Sequence, residues 1–446
     1  MKDTIFALAT APGRAAVAII RLSGAEARAA LIALAGRAPT AGRAHVRRLV
    51  GTDGQALDTA LTLYFAGPHS YTGEDCVELH LHGGPGVVDG VTAALLSLGL
   101  RLAEPGEFTR RAFENGKLNL DQAEAVADLV DAESSAQARQ ALGQLEGRLG
   151  ARYQAWRDSL IEALARLEAA VDFPDEEVPA DVAASARKAL EGLADDLDVA
   201  LAGEARGRRV REGYRVAVIG APNSGKSSLI NALSGRDAAI VNAIPGTTRD
   251  IIEVSLMVDG YKVLLADTAG IRRTDEPVEA EGMRRARAWA AGADLRLWVV
   301  DQSAGDDSWK EALQLVRDGD ICVLNKSDLG EGADLVPAAA DAREIGAEII
   351  SISLQNDQEN LVREMLSLRV RRDLAGAEFP AATRARHQVL LREARGHLGR
   401  ALEELDSPEL AAEDARLAAR ALARVSGRVD AEDILGRVFA TFCIGK

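Results

Sequence analysis

The feature that most constrains this chain is an eight-residue word in a fixed setting: Gly220-Ala-Pro-Asn-Ser-Gly225-Lys226-Ser227, directly after the apolar run YRVAVI and leading into SSLINALSG, whose first serine is Ser227. A Gly-rich loop between a strand and a helix turns backbone N–H groups inward. The helix N-terminus adds its partial positive charge, so the arrangement is suited to cradle phosphate. Lys226 is expected to contact the β- and γ-phosphates and Ser227 to offer its hydroxyl to Mg²⁺, with Asn223, Ser224, Gly225 and Ser228 completing the loop. The surrounding runs YRVAVIG, IIEVSLMV, KVLLADTAG, LRLWVVD, DICVLNKSD and EIISIS alternate with helical stretches. Buried apolar strands separated by helices mark a parallel, doubly wound α/β sheet.

Two more words follow in order. Asn325-Lys326-Ser-Asp328 closes a strand, and an aspartate there accepts from the N1 and N2 donors of guanine, a pair that adenine does not offer. Asp267-Thr268-Ala269-Gly270 ends the third strand, where the carboxylate reaches a metal through water and the glycine amide senses a γ-phosphate. Together, within residues 220–328, they predict a Ras-like domain that takes GTP. Ile271 stands where a water-orienting glutamine is common, so that task falls elsewhere or is not done. Arg249, Arg272 and Arg273 have the chemistry of an arginine finger but read as surface arginines first.

The flanking texture differs. Up to about residue 117, short β-type runs (AAVAIIRL, ALTLYF, CVELHLH) alternate with Gly- and Pro-bearing turns, and VVDGVTAALLSL has helical spacing. From residue 119 apolar residues recur at three- and four-residue steps with scarcely a breaker until Pro174 and Pro179, and that texture returns after Leu374. The expected organisation is an α+β domain over 1–118, a helical domain in two segments over 119–212 and 376–446, and a G domain over 213–375 inserted between them.

Three cysteines, Cys76, Cys322 and Cys443, offer neither a disulfide framework nor a zinc motif, which suits a reducing cytoplasm. No run of about eighteen apolar residues suggests a membrane span. A net charge of −15, from 53 basic and 68 acidic residues, argues against non-specific coating of nucleic acid, so any RNA contact is local. The basic clusters at Arg206–Arg211 and at Arg369, Arg371 and Arg372 read as solvated helical faces before they read as RNA sites. His80 and His82 alternate on one strand without a third ligand cluster and read as sheet-face histidines.

Over essentially its whole length the chain resembles the MnmE (TrmE) family of tRNA-modification GTPases, potassium-activated relatives of Era and EngA. The words that carry the likeness are DTIFALATAPGRAAVAIIRLSG, SYTGEDCVELHLHGGP, PGEFTRRAFENGKLNLDQAEAVADLVDA, VDFPDEE, GAPNSGKSS, IPGTTRD, DTAGIR and the terminal FCIGK. The resemblance implies a potassium ion held by Asn223, Asn242, Ile244 and Thr247, and Mg²⁺ shared by Ser227 and Thr248. It implies nucleotide contact along Asn242, Ala243, Ile244, Pro245, Gly246, Thr247 and Thr248, and a water-orienting Glu279, which residue chemistry alone does not single out from Glu276 and Glu281. It implies a loop at Ser353-Leu354-Gln355 beside the base, where the family pattern is Ser-Ala-Lys/Arg, so stacking at that edge departs from the pattern. It further implies that Arg21, Glu78, Lys117 and Lys446 hold a 5-formyl- or methylene-tetrahydrofolate, and that Cys443 lies near the modified uridine. An isolated cysteine is usually a small buried hydrophobe, and Cys443 is not read as a nucleophile.

The same resemblance implies a homodimer whose G domains meet in GTP and potassium. Its partner would be the flavoprotein MnmG, with which it adds an aminomethyl or carboxymethylaminomethyl group to C5 of the wobble uridine of certain tRNAs. Two other readings stay open on sequence: a regulatory or assembly GTPase that performs no nucleoside chemistry, and a helical scaffold whose hydrolysis is vestigial.

Overall fold

The computed structural model describes residues 3–37, 40–172, 180–235, 253–267, 284, 286–304, 309–329, 337–374, 382–427, 442 and 445. They divide into two compact units, one of residues 1–130, 142–198 and 386–446, the other of residues 131–141 and 199–385.

The first unit opens with β1 (Ile5–Leu8), β2 (Ala15–Ser23), α1 (Ala27–Ala35), β3 (His45–Val50), β4 (Ala56–Phe65), β5 (Cys76–Gly83), α2 (Pro85–Ser97), β6 (Arg101–Leu102) and α3 (Glu107–Glu114). The strands form one sheet in the order β3-β4-β5-β2-β1-β6. Alternation sets its two faces: Ile20, Leu22, Val77, Leu79 and Leu81 point to the core under α1 and α2, and Arg21, Glu78 and His80 point away. On that outward side Ile5, Ala7, Ala103, Phe108 and Tyr71 form a smaller apolar cluster. The sequence reading found β2, β4, β5 and α2. It did not single out the short β1 and β6, nor the charged β3, whose burial comes from neighbours and not from its own pattern.

Helices complete the unit: α4 (Leu120–Val130), α6 (Arg148–Asp172), α7 (Ala180–Ala202), α13 (Ala385–Glu403) and α14 (Pro408–Val425). Ala411, Ala415, Ala418 and Leu422 give α14 a buried stripe of mostly small residues at three- and four-residue steps, and α6 packs closely against α14. Glu124, 1% exposed, accepts from Arg386 Nε at 2.6 Å and Nη2 at 2.8 Å and lies 3.1 Å from His387 Nε2. Burial raises this carboxyl, but His387 and Arg386 outweigh it and hold the group well below the usual carboxylate range. The helical run after residue 119, expected to be nearly continuous, breaks between α4 and α5 (Ser135–Leu145) and again at Gly147, whose φ of 85° lies in the left-handed region.

The second unit contains α5 (Ser135–Leu145) in its first two turns, α8 (Glu204–Glu212), β7 (Tyr214–Ile219), α9 (Lys226–Ser234), β8 (Glu253–Val258), β9 (Tyr261–Asp267) and β10 (Leu295–Asp301). It continues with α10 (Lys310–Leu313), β11 (Ile321–Asn325), α11 (Pro337–Ile345), β12 (Glu348–Ser351) and α12 (Glu359–Leu374). The sheet order is β12-β11-β10-β7-β9-β8. Successive β7 residues serve opposite cores: Val216 and Val218 on one face, Ala217 and Ile219 on the other. Both faces are therefore covered, and each large apolar side chain so buried contributes about 1.5–3 kcal/mol.

One strand departs from the parallel expectation, because β8 runs antiparallel to β9. The two are joined by Asp259 and Gly260, with φ of 49° and 80°, and a two-residue connection can only reverse the chain. Residues 131–141 and 199–212 also group with this unit. Gln137 and Gln140 of α5 donate to the Arg211 and Gly207 carbonyls at 2.8 and 3.2 Å, and the Ala136 amide donates to Gly260 at 3.0 Å.

Candidate nucleotide-binding site

At the carboxyl ends of β7, β10 and β11 the second unit opens a cleft of about 720 Å³. One wall is the loop from β7 to α9 (Pro222, Asn223, Gly225, Lys226, Ser227 and Ser228), the other the ends of β11 and β12. Gly220 has a φ of 145°, and a Cβ there would lie 2.1 Å from the Val299 carbonyl oxygen. Gly225 has a φ of 104°, and its Cβ would lie 2.2 Å from Asn325 Nδ2. Both glycines are therefore required by close approach as well as by backbone angle. Asn223 also adopts the left-handed region at 62°, one of the few residue types that enters it readily.

The loop is fastened from within. Lys226, 5% exposed, donates from Nζ to the Ala221 carbonyl at 2.6 Å. Ser227 Oγ donates to Asp267 Oδ2 at 2.7 Å, so the two oxygens expected to serve a magnesium ion, one from the first turn of α9 and one from the end of β9, stand together. A hydroxyl and a carboxylate are the hard donors that such an ion prefers. Asn325 Nδ2 donates to the Ser224 carbonyl at 2.9 Å, which ties the base-side loop to the phosphate loop. Among the described residues, Ser224 Oγ and Asn325 Oδ1 are buried without a hydrogen-bond partner, an uncommon state that suits a site built for a polar ligand.

The base side is ordered similarly. Ser353, 1% exposed, donates its hydroxyl to Asp328 Oδ1 at 2.5 Å, and its amide donates to Gln358 Oε1 at 2.8 Å. Leu354 and Gln355 line the cleft beside it, so the departure from the family pattern at this loop leaves Ser353 in contact with Asp328. Lys326, at a φ of 62°, donates from Nζ to Asp301 Oδ2 at 2.6 Å. Burial raises the Asp301 carboxyl, but Lys326 and Ser303 outweigh it and keep the group below its ordinary value. Asp301 carries no motif of its own; its only sequence signal is that it ends the run LRLWVVD. The Cys322 thiol, inside β11, is pushed up to about 12 by burial and is inert.

The structure thus brings together Asn223, Ser224, Gly225, Lys226, Ser227, Ser228, Asp267, Asn325, Lys326, Asp328, Ser353, Leu354 and Gln355. Residues 242–248 and 268–270, Arg249, Arg272, Arg273 and Glu279 lie outside the described residues, as do Cys443 and Lys446.

On the first unit, Arg21 and Glu78 are direct cross-strand partners of β2 and β5. Arg21 donates from Nε and Nη2 to Glu78 Oε1 at 3.0 and 2.8 Å, and His80 Nε2 lies 3.3 Å from Oε2. The pair retains 23% and 20% side-chain exposure, and the Tyr71 and Phe108 rings lie 5.4 and 6.0 Å from the guanidinium carbon. Lys117 Nζ donates to the Pro68 carbonyl at 3.0 Å, on the turn that carries Tyr71. A half-open ion pair beside two aromatic rings has the donors, acceptors and flat surfaces that a bicyclic heterocycle needs. His82 bonds instead to Asp58 at 2.7 Å, and among the described residues no group of three or more His, Cys, Asp or Glu side chains is placed to hold a metal ion.

The α/β sheet, the glycine-shaped phosphate loop and the Asn-Lys-x-Asp strand end define the class: a GTPase with a phosphate-loop G domain. Family models agree across the chain, "GTP-binding protein TrmE N-terminus" over residues 4–117 and "MnmE helical domain" over residues 120–443. The chain is 58% identical over 447 residues to a tRNA modification GTPase MnmE of Phenylobacterium zucineum (strain HLK1), covering 100% of both chains. It is 57% identical over 450 residues to that of Caulobacter vibrioides and 47% identical over 449 residues to that of Maricaulis maris, again covering 100% of both chains. The chain belongs to the MnmE family of tRNA modification GTPases. No helix among the described residues is long and apolar enough to cross a membrane.

Proposed function

We propose that this chain hydrolyses GTP in a potassium-dependent cycle and, with the flavoprotein MnmG, adds an aminomethyl or carboxymethylaminomethyl group at C5 of the wobble uridine of certain tRNAs, in the cytoplasm. The observation that carries the nucleotide half is the Ser227–Asp267 contact beside the buried atoms of Ser224 and Asn325 that have no partner among the described residues. In this reading the chain is a homodimer of three-domain protomers: an N-terminal domain over 1–118, a helical domain in two segments over 119–212 and 376–446, and a G domain over 213–375. Ser227 and Thr248 hold Mg²⁺, and Asn223, Asn242, Ile244 and Thr247 hold potassium. Bound there, the two cations offset negative charge gathered on the phosphates. Lys226 grips the β- and γ-phosphates, residues 242–248 and 268–270 complete the wall, and Asp328 selects guanine. Glu279 orients the attacking water, the task that Ile271 leaves open.

The N-terminal domain binds a one-carbon tetrahydrofolate through Arg21, Glu78, Lys117 and Lys446. Dimerisation through that domain is supported by Val46 and Leu61, cross-strand neighbours with 62% and 37% exposure on the outward side of the sheet. A regulatory GTPase would need no folate site, so the half-open Arg21–Glu78 pair favours modification.

Nucleotide titration and hydrolysis assays test the first half. GDP should bind far more tightly than ADP, and turnover should fall when sodium replaces potassium and in Glu279→Ala or Asn223→Ala; equal rates in both salts would overturn it. Mass spectrometry of wobble-uridine nucleosides after gene deletion tests the second half, and an unchanged profile would reject the modification role.

A further inference from the structure

Asp301 holds the base-side lysine without lining the cleft. It ends β10, directly opposite Asn325 of β11, and Lys326 follows Asn325 into the wall. Its Oδ2 takes the Lys326 ammonium at 2.6 Å, while Oδ1 takes the Ser303 amide and hydroxyl at 3.0 and 2.7 Å, so both carboxylate oxygens are committed. The next residue adds two links: the Gln302 amide donates to the Asn325 carbonyl at 2.9 Å, and Ser351 Oγ donates to Gln302 Oε1 at 2.9 Å. The segment 301–303 thus fastens the ends of β11 and β12 from beneath. Lys326 needs such a hold, because a non-glycine residue at a φ of 62° is sparsely populated and its four-carbon stem is otherwise free to rotate.

We propose that Asp301 is a positioning residue for nucleotide binding: its carboxylate orients Lys326 along the base-side wall, and so sets affinity for guanine nucleotides without touching them. This rests on the reading of the cleft as a guanine-nucleotide site. Lys326 is 33% exposed and Asp301 19%, so the pair itself adds little to stability, and its effect should fall on binding.

The test uses the full-length chain and fluorescent GDP. Asp301→Asn should weaken GDP binding about fivefold and raise KM for GTP by a similar factor, with kcat within twofold of wild type and an unchanged unfolding temperature. Asp301→Glu, which keeps the charge, should recover most of the affinity. On a Lys326→Ala background, Asp301→Asn should cost nothing further. Unchanged GDP affinity in folded Asp301→Asn, or an equal loss with and without Lys326, would overturn the proposal. Failure of the unaltered chain to prefer GDP over ADP would instead sink the guanine-site reading, so the two failures are distinguishable.

Discussion

The phosphate loop and the outward face of the N-terminal sheet both gather charged residues, but they hold them in opposite ways. At the loop, backbone geometry does most of the shaping: Gly220 and Gly225 leave no room for a Cβ, and Ser224 Oγ and Asn325 Oδ1 are buried with no partner among the described residues. On the sheet, side chains shape the site and satisfy one another first, Arg21 with Glu78, Glu78 with His80, and Lys117 with a carbonyl. A backbone-built site tolerates almost no substitution at its glycines, because strain and steric overlap add. A side-chain-built site loses one partner at a time, and each loss near the surface is small.

The sharpest way to break this contrast is Gly225→Ala. The added methyl would meet Asn325 Nδ2 at 2.2 Å in a left-handed backbone. We expect a cost of about 2–3 kcal/mol, or about a hundredfold in GDP affinity, read by fluorescent-nucleotide titration. Retention of wild-type affinity would mean that the loop is not the rigid element described. Next in size is Asp328→Asn. An amide accepts from N1 of xanthine and donates to its 2-oxo group, so GDP should weaken about tenfold or more while the xanthine nucleotide gains. A competition titration decides it, and an unchanged ranking of the two bases would remove Asp328 from the base site.

On the sheet, Arg21→Ala should leave GDP binding within twofold and lower the unfolding free energy by only about 1 kcal/mol, since the pair is partly solvated. It should nevertheless weaken tetrahydrofolate binding clearly by calorimetry. A large loss of stability would show that the pair is structural first.

The effect that is read only in acid belongs to Glu107, buried beside Arg101 and Arg111 with bonds of 2.7 and 2.9 Å. Burial raises this carboxyl, but Arg101, the Glu104 amide and Arg111 outweigh it and bring it to about 2 from 4.5. A folded-state value below the unfolded one means that the ionised form stabilises the fold above about pH 4.5. That contribution is lost as pH falls from 4.5 towards 2. Acid unfolding of the wild type should steepen across this window, and Glu107→Gln should flatten the slope there; identical slopes would refute the assignment.

Legibility followed the range of the interactions. Phosphate-loop spacing, the Asn-Lys-x-Asp word and the alternation of β2 and β5 are local, and the structure places those residues together in the cleft or on one sheet face. The charged β3 and the two-residue β6 were not legible, since neighbouring strands and not their own composition order them. Asp301 was missed for the same reason: its partner Lys326 is 25 residues away, and no short word joins them.

What the amino-acid order determined alone was the set of backbone conformations and apolar periods: glycines where φ is positive and no Cβ fits, apolar runs that must be covered on both faces, and helices whose buried stripe repeats at three and four residues. Only the tertiary structure decided that Glu78 pairs with Arg21, that Ser227 meets Asp267 and that residues 131–141 join the α/β unit. The physical reason is that propensity and periodicity act between near neighbours along the chain. Ion pairs, capped carbonyls and close approaches depend on which distant segments pack together, and many pairings of the same residues share the same local pattern.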